Sequence, residues 1–135
     1  MARVLVVEDS PTIVSHVESV LREDGHEVYV ARDGWSALAS VRALLPEVIL
    51  LDILLPHSNG FDICQTIRRN TAYQLMKIVM MTSLVDDESI QRAYAVGANG
   101  YIKKPFTNLD LHTELANQLR EKGEPSLPRV SGLAL

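Results

Sequence analysis

The sequence predicts an α/β fold, a doubly wound five-stranded parallel sheet with helices on both faces. Five short apolar runs alternate with five amphipathic stretches along most of the 135 residues. Such alternation of β and α units implies a parallel sheet with right-handed crossovers. Two of the runs, Val4-Leu5-Val6-Val7 and Val48-Ile49-Leu50-Leu51, are apolar without a break, as strands covered on both faces are.

Taken in order, a strand is expected at Arg3–Val7, then a helix at Pro11–Asp24. Ser10 can cap that helix, and Pro11 suits its first position, where a missing N–H costs little. Gly25 fits the helix end. The next strand, Glu27–Ala31, is less uniformly apolar and suits a sheet edge, whereas the first and third look central. Asp33 can cap a helix at Trp35–Leu44, after which come the strand Val48–Leu51 and a helix at Gly60–Asn70. A strand at Lys77–Met81 precedes a helix at Asp86–Val96, with Asp86 as cap and Gly97 at the carboxyl end. The last strand is Gly100–Lys103. Thr107-Asn108-Leu109-Asp110 reads as a capping box with Asp in place of Glu, opening a helix at Leu109–Lys122. Leu111, Leu115 and Leu119 recur every fourth residue there, making one buried stripe. Beyond Lys122, Gly123-Glu124-Pro125-Ser126-Leu127-Pro128 is tail or linker chemistry. One domain is therefore expected over residues 1–122, followed by a tail or the start of a linker at 123–135.

Composition narrows the function. Net charge is −4, which points away from broad electrostatic binding of nucleic acid. The single cysteine, Cys64, makes no internal disulfide, and no Cys/His cluster has zinc spacing. No signal peptide is apparent, and the longest apolar runs fall well short of the roughly 20 residues that span a bilayer. A cytoplasmic protein that contacts neither membrane nor nucleic acid is expected.

The chemistry gathers at the strand ends. Asp52 follows the third strand, Glu8 and Asp9 follow the first, Thr82 follows the fourth, and Lys104 follows the fifth. Open α/β sheets bind ligands beyond the carboxyl ends of their strands. Three acids at one mouth repel each other and favour a divalent cation; Mg²⁺ takes a few carboxylates and recruits phosphate oxygens. If Asp52 attacks a phosphoryl donor it becomes an acyl phosphate. Catalysis is then mainly positioning and neutralisation of equatorial oxygen charge, by Mg²⁺ and Lys104, with Thr82 donating a hydrogen bond. Lys103 should face the other way, since side chains alternate along a strand. Each residue alone has a plainer reading: Glu8 and Asp9 as helix caps, Thr82 as a β-former, Lys104 as a solvated lysine. Asp52 is harder to explain away, because an unpaired carboxylate at the end of a buried strand is costly.

Five motifs in order, Val6-Val7-Glu8-Asp9-Ser10, Leu50-Leu51-Asp52-Ile53-Leu54-Leu55-Pro56, Asn59-Gly60-Phe61, Met81-Thr82-Ser83 and Gly97-Ala98-Asn99-Gly100-Tyr101-Ile102-Lys103-Lys104-Pro105-Phe106, resemble the receiver domain of two-component response regulators, from about Ala2 to Lys122. The resemblance implies a flavodoxin-like (βα)5 sheet of strand order 2-1-3-4-5. It also implies a regulatory phosphoacceptor rather than an enzyme, with Asp52 taking a phosphoryl group from a sensor histidine kinase or histidine phosphotransfer protein. Mg²⁺ is then expected on Asp9, Asp52 and the backbone carbonyl of Leu54, with Glu8 acting through water. The Lys104–Pro105 bond is expected to be cis. Thr82 and Tyr101 are expected to form a coupled switch that changes the surface of the fourth helix, fifth strand and fifth helix, read by a downstream protein target or a fused effector domain. Residue types alone equally allow Tyr101 to pack at a sheet edge with its hydroxyl in water.

Departures from the family pattern carry information. Leu54 and Leu84, two residues after Asp52 and Thr82, stand where many fast members carry polar groups that orient the attacking water. Slow self-dephosphorylation is therefore expected. Ala98-Asn99-Gly100 lacks the acidic residues of one common dimer interface. His57 reads as a solvated loop residue. Two rival classes fit less well: a flavin carrier would need a Ser/Thr/Gly-rich loop where Glu8-Asp9 stands, and a dehalogenase-type hydrolase would need a second aspartate where Leu54 stands.

Overall fold

The computed structural model describes residues 1–120. The apolar runs form β1 (Arg3–Val7), β2 (Glu27–Ala31), β3 (Val48–Leu51), β4 (Lys77–Thr82) and β5 (Gly100–Lys103). They build one parallel sheet in the order β2-β1-β3-β4-β5. The helices between and after them are α1 (Pro11–Glu23), α2 (Gly34–Leu44), α3 (Gly60–Arg68), α4 (Asp87–Ala95) and α5 (Asn108–Arg120). No helix of the described residues is long and apolar enough to cross a membrane.

Side-chain alternation along the strands divides the core in two. Leu5, Val7, Ile49, Leu51, Ile78, Met80 and Tyr101 face α2, α3 and α4 and pack with Ala37, Val41, Ile63, Ile67 and Ala93. Val4, Val6, Val48, Leu50, Val79, Met81 and Ile102 face α1 and α5, meeting Val17, Val20, Leu21, Leu111 and Leu115. Both faces of β1, β3 and β4 are therefore dry, which is why their sequences are unbroken apolar runs. Each such side chain contributes about 1.5–3 kcal/mol on full burial. On β2, Tyr29 is partly exposed, as the edge position requires.

The local signals act as their chemistry dictates. Asp33 accepts from the Ser36 amide at 2.8 Å and Asp86 from the Ser89 amide at 3.1 Å. Thr107 and Asp110 cap each other reciprocally, at 2.8 and 3.1 Å. Gly25 and Gly97 close α1 and α4 with φ of 85° and 110°.

Several details differ from the sequence expectation. α1 ends one residue early, at Glu23, and α4 is one residue shorter at each end, Asp87–Ala95. α2 begins at Gly34 and α5 at Asn108, one residue early in each case. α3 stops at Arg68 because the Asn70 side chain accepts from the Ala72 amide at 2.9 Å and starts a short 3₁₀ turn at Thr71–Tyr73; asparagine competes for backbone groups in this way. β4 runs on to Thr82 because Lys103 of β5 pairs with it. A two-residue antiparallel hairpin, Leu54–Leu55 with Ser58–Asn59, follows β3. It turns through His57 at φ 60°, a conformation for which a histidine gives little sequence warning. The expected domain end at residue 122 and the tail at 123–135 lie outside the described residues.

Candidate functional site

β1 and β3 lie side by side in register, Val7 against Leu51, so Glu8 and Asp52 leave the sheet together. The Asp52 amide donates to the Val7 carbonyl and the Glu8 amide to the Ala31 carbonyl, each at 3.0 Å. These ladder bonds hold both backbones one residue past the strands. Asp9 completes the group: Glu8, Asp9 and Asp52 each offer a carboxylate oxygen, all within 4.8 Å of one another. Glu8 and Asp52 are buried, while Asp9 is exposed.

The Asp52 carboxylate accepts from the Leu54 amide at 3.1 Å through Oδ1 and from Lys104 Nζ at 3.0 Å through Oδ2. Lys104 Nζ also donates to Glu8 Oε1, and the other Glu8 oxygen accepts from the Asp9 amide at 2.9 Å. Burial works against the charge on Lys104, but the hydrogen bonds and charges of Glu8 and Asp52 outweigh it and raise its pKa. Lys104 is therefore an ammonium throughout the neutral range. Three carboxylates against one ammonium leave an excess of hard, negatively charged oxygen donors, which fits Mg²⁺.

β5 delivers that lysine. The Lys104 amide donates to the Thr82 carbonyl at 2.9 Å, and the Lys104–Pro105 peptide bond is cis. Thr82 is fully buried; its Oγ1 accepts from the Leu84 amide at 3.3 Å. The Leu84 carbonyl in turn accepts from the Tyr101 hydroxyl. Backbone groups of one residue thus join Thr82 to Tyr101. Tyr101 is fully buried, so the edge packing with a solvated hydroxyl that the residue type allowed does not occur.

Burial first, then the charges of Asp86 and Tyr94, push the Tyr101 phenol up to about 12. An unfolded tyrosine ionises near pH 10, so the stability held by the neutral buried phenol is complete below pH 10. It is lost as pH rises toward 12, by about 2–3 kcal/mol in total. Tyr101→Phe should flatten the fall in urea midpoint between pH 10 and 12. An unchanged slope would show that Tyr101 is not the late-titrating phenol.

Leu54 lies at the start of the hairpin with its side chain 55% exposed, and Leu84 is half-buried. His57 is exposed at the hairpin turn. The neighbouring residue that most constrains the site is Gly60, the first of α3. A Cβ there would lie 2.6 Å from the Asp52 carbonyl oxygen and 2.8 Å from Ile53 Cα, and its amide donates to the Ile53 carbonyl at 2.8 Å. The motif Asn59-Gly60-Phe61 is visible in sequence, but nothing in sequence says what the glycine touches. The bridging role of the Leu84 backbone has no sequence signal at all.

A family model described as the response regulator receiver domain matches residues 4–116. The DNA-binding response regulator MtrA of Mycolicibacterium smegmatis is 36% identical over 92% of this chain and 54% of its own length. The chain thus spans about half of that relative. Protein PilG of Pseudomonas aeruginosa is 32% identical over 81% of each chain. Among solved structures, the chemotaxis response regulator CheY4 of Vibrio cholerae superposes with a TM-score of 0.83 at 36% identity, over 87% of this chain and 98% of that one.

Proposed function

The chain belongs to the response regulator receiver domain family of two-component signalling, and we propose that within it Asp52 is the phosphoacceptor. The carrying observation is the Lys104 ammonium seated on both Glu8 and Asp52, beside Asp9, at the carboxyl mouth of the sheet. The donor is a sensor histidine kinase or a histidine phosphotransfer protein. A carboxylate oxygen of Asp52 forms the new O–P bond while the P–N bond to the donor histidine, or the P–O bond of acetyl phosphate, breaks. The leaving group departs with that electron pair. Lys104 holds positive charge where the transferring oxygens gather charge, and Thr82 would donate to one of them.

Asp9, Asp52 and the Leu54 carbonyl would hold Mg²⁺, with Glu8 through water. Bound there, the ion would neutralise phosphoryl oxygen charge. The chain's own part is to hold the acids close together: the Leu54 and Asp9 amides and the Lys104 ammonium do this. Once phosphorylated, the domain carries a phosphoryl group of roughly −1.5 to −2 charges beside Thr82, in place of the single charge of the carboxylate. A Thr82 hydroxyl drawn to the phosphoryl group would give up the Leu84 amide, and through Leu84 that movement reaches Tyr101. The surface of α4, β5 and α5 is then the output face, read in the cytoplasm by a downstream protein target or a fused effector domain. The domain regulates by this population shift rather than by turning over a substrate of its own.

The test is intact-mass spectrometry after incubation with acetyl phosphate. One phosphoryl adduct that needs Mg²⁺, disappears with chelator and maps to the peptide bearing Asp52 is the expected result. An adduct on another residue, or none from acetyl phosphate or a phosphorylated kinase, would sink the proposal.

Leu54 and Leu84 also set an expected lifetime. Neither side chain can orient a water for attack on the acyl phosphate, so the phospho-form should be long-lived. Leu54→Asn together with Leu84→Gln is expected to shorten its half-life about tenfold or more. Equal decay in both proteins would remove these leucines from the explanation.

A further inference from the structure

A groove of about 440 Å³ lies between the amino-terminal end of α2 and the segment formed by the hairpin turn and α3. None of Glu8, Asp9, Asp52, Thr82 or Lys104 lines it, and it is separate from α4, β5 and α5. Its walls are mostly apolar: Trp35 and Leu38 on one side, Pro56 and Ile63 on the other. Trp35, the one tryptophan of the chain, is 88% exposed. A solvent-facing tryptophan beside an apolar groove is typical of an anchor for a protein partner.

The groove is built rather than incidental. A Cβ on Gly34 would lie 2.8 Å from Ser58 Oγ and 3.1 Å from Ile63 Cδ1, so the glycine lets α2 sit close to the hairpin without displacing these side chains. Two carboxylates line it, and both are held in place. Asp33 Oδ1 accepts from the amide and hydroxyl of Ser36, each at 2.8 Å. Asp62 Oδ2 accepts from Asn59 Nδ2 at 3.0 Å. His57 also lines the groove, but no lysine or arginine does, so no permanently charged cation of this chain stands there.

We propose that this groove docks a protein segment carrying an arginine next to an apolar side chain. The guanidinium lies on the Trp35 ring and faces Asp33 and Asp62; the apolar neighbour fills the space between Leu38, Pro56 and Ile63. Charge complementarity selects the cation, since two fixed carboxylates and an indole face both attract one. Arginine suits the site better than lysine because its flat guanidinium stacks on an aromatic ring while still donating to carboxylates. Such a face lets a partner hold the domain without occupying Asp52 or the output surface.

The experiment selects a displayed random-peptide library on the 135-residue chain, with Trp35→Ala as the counter-target. The recovered peptides should carry arginine beside an apolar residue. Binding of the synthetic peptides should shift the emission of the lone tryptophan to the blue. Asp33→Asn with Asp62→Asn keeps the capping oxygen at position 33 and an acceptor for Asn59 at position 62, and should weaken binding about tenfold or more. A wild-type melting curve for that variant would separate lost charge from lost fold. Recovery of no peptide dependent on Trp35, of neutral or acidic peptides, or of binders that leave the emission unchanged would overturn the proposal. Self-association in sedimentation that Trp35→Ala abolishes would also overturn it, by assigning the groove to a second copy of the chain.

Discussion

Asp52→Asn is expected to take up no phosphoryl group from acetyl phosphate or from a phosphorylated kinase, while remaining folded. The amide nearly matches the carboxylate in shape, so its oxygen can keep the bond from the Leu54 amide that Asp52 Oδ1 now accepts at 3.1 Å. It lacks the nucleophilic oxygen pair that forms an acyl phosphate. The Lys104 contact at 3.0 Å weakens, because an amide nitrogen or neutral oxygen then replaces a charged oxygen. Glu8 still pairs with Lys104, so no buried ammonium is stranded. Relief of repulsion among the three acids works in the opposite direction to that lost pair, and the net stability change should stay within about 1–2 kcal/mol. Intact mass and a urea melt on the same sample separate the two effects. A phosphoryl adduct forming in the variant at the wild-type rate would show that Glu8 or Asp9 is the real acceptor.

Gly60→Ala should be the most damaging single methyl in the molecule for this site. The added Cβ would stand 2.6 Å from the Asp52 carbonyl oxygen, and a backbone atom cannot swing aside as a side chain can. Either α3 lifts off β3 or the backbone carrying Asp52 shifts. Overpacking of this kind destabilises by about 1–3 kcal/mol, and the upper end is expected because both nearest contacts are backbone. Displacement by even about 1 Å lowers a positioning-dependent rate by about a hundredfold, so phosphorylation should slow well beyond the loss of folded protein. Gly25→Ala is the control. Nothing lies within 4 Å of its Cβ, but its φ is 85°, so only the backbone conformation resists, at about 1 kcal/mol. Equal urea midpoints for the two variants would refute the close-approach explanation.

Most of the architecture was legible in the chain because its signals are local. Unbroken apolar runs at Val4–Val7 and Val48–Leu51 report strands that are dry on both faces, and Ser10, Asp33, Asp86 and Thr107 mark helix starts by what their side chains can accept. Asp52 was legible too, since an unpaired carboxylate at the end of a buried strand is costly, whereas Glu8 and Asp9 alone also read as helix caps. Errors arose at element ends: Thr82 joins β4 through backbone pairing with the remote Lys103, and α3 ends early because Asn70 caps the local turn that follows it.

By itself, then, the sequence determined the order of elements, the sheet they form and the acids, hydroxyl and ammonium that stand at its mouth. Periodicity, caps and strand ends are properties of neighbouring residues. Only the tertiary structure decided that Lys104 reaches both Glu8 and Asp52, that Leu84 joins Thr82 to a fully buried Tyr101, that Gly60 rests on the Asp52 backbone, and that Trp35 stands over a groove with two acids. Each of these is a contact between segments remote in sequence. Such contacts are set by how the strands register and how closely the helices pack upon them, which no local pattern encodes.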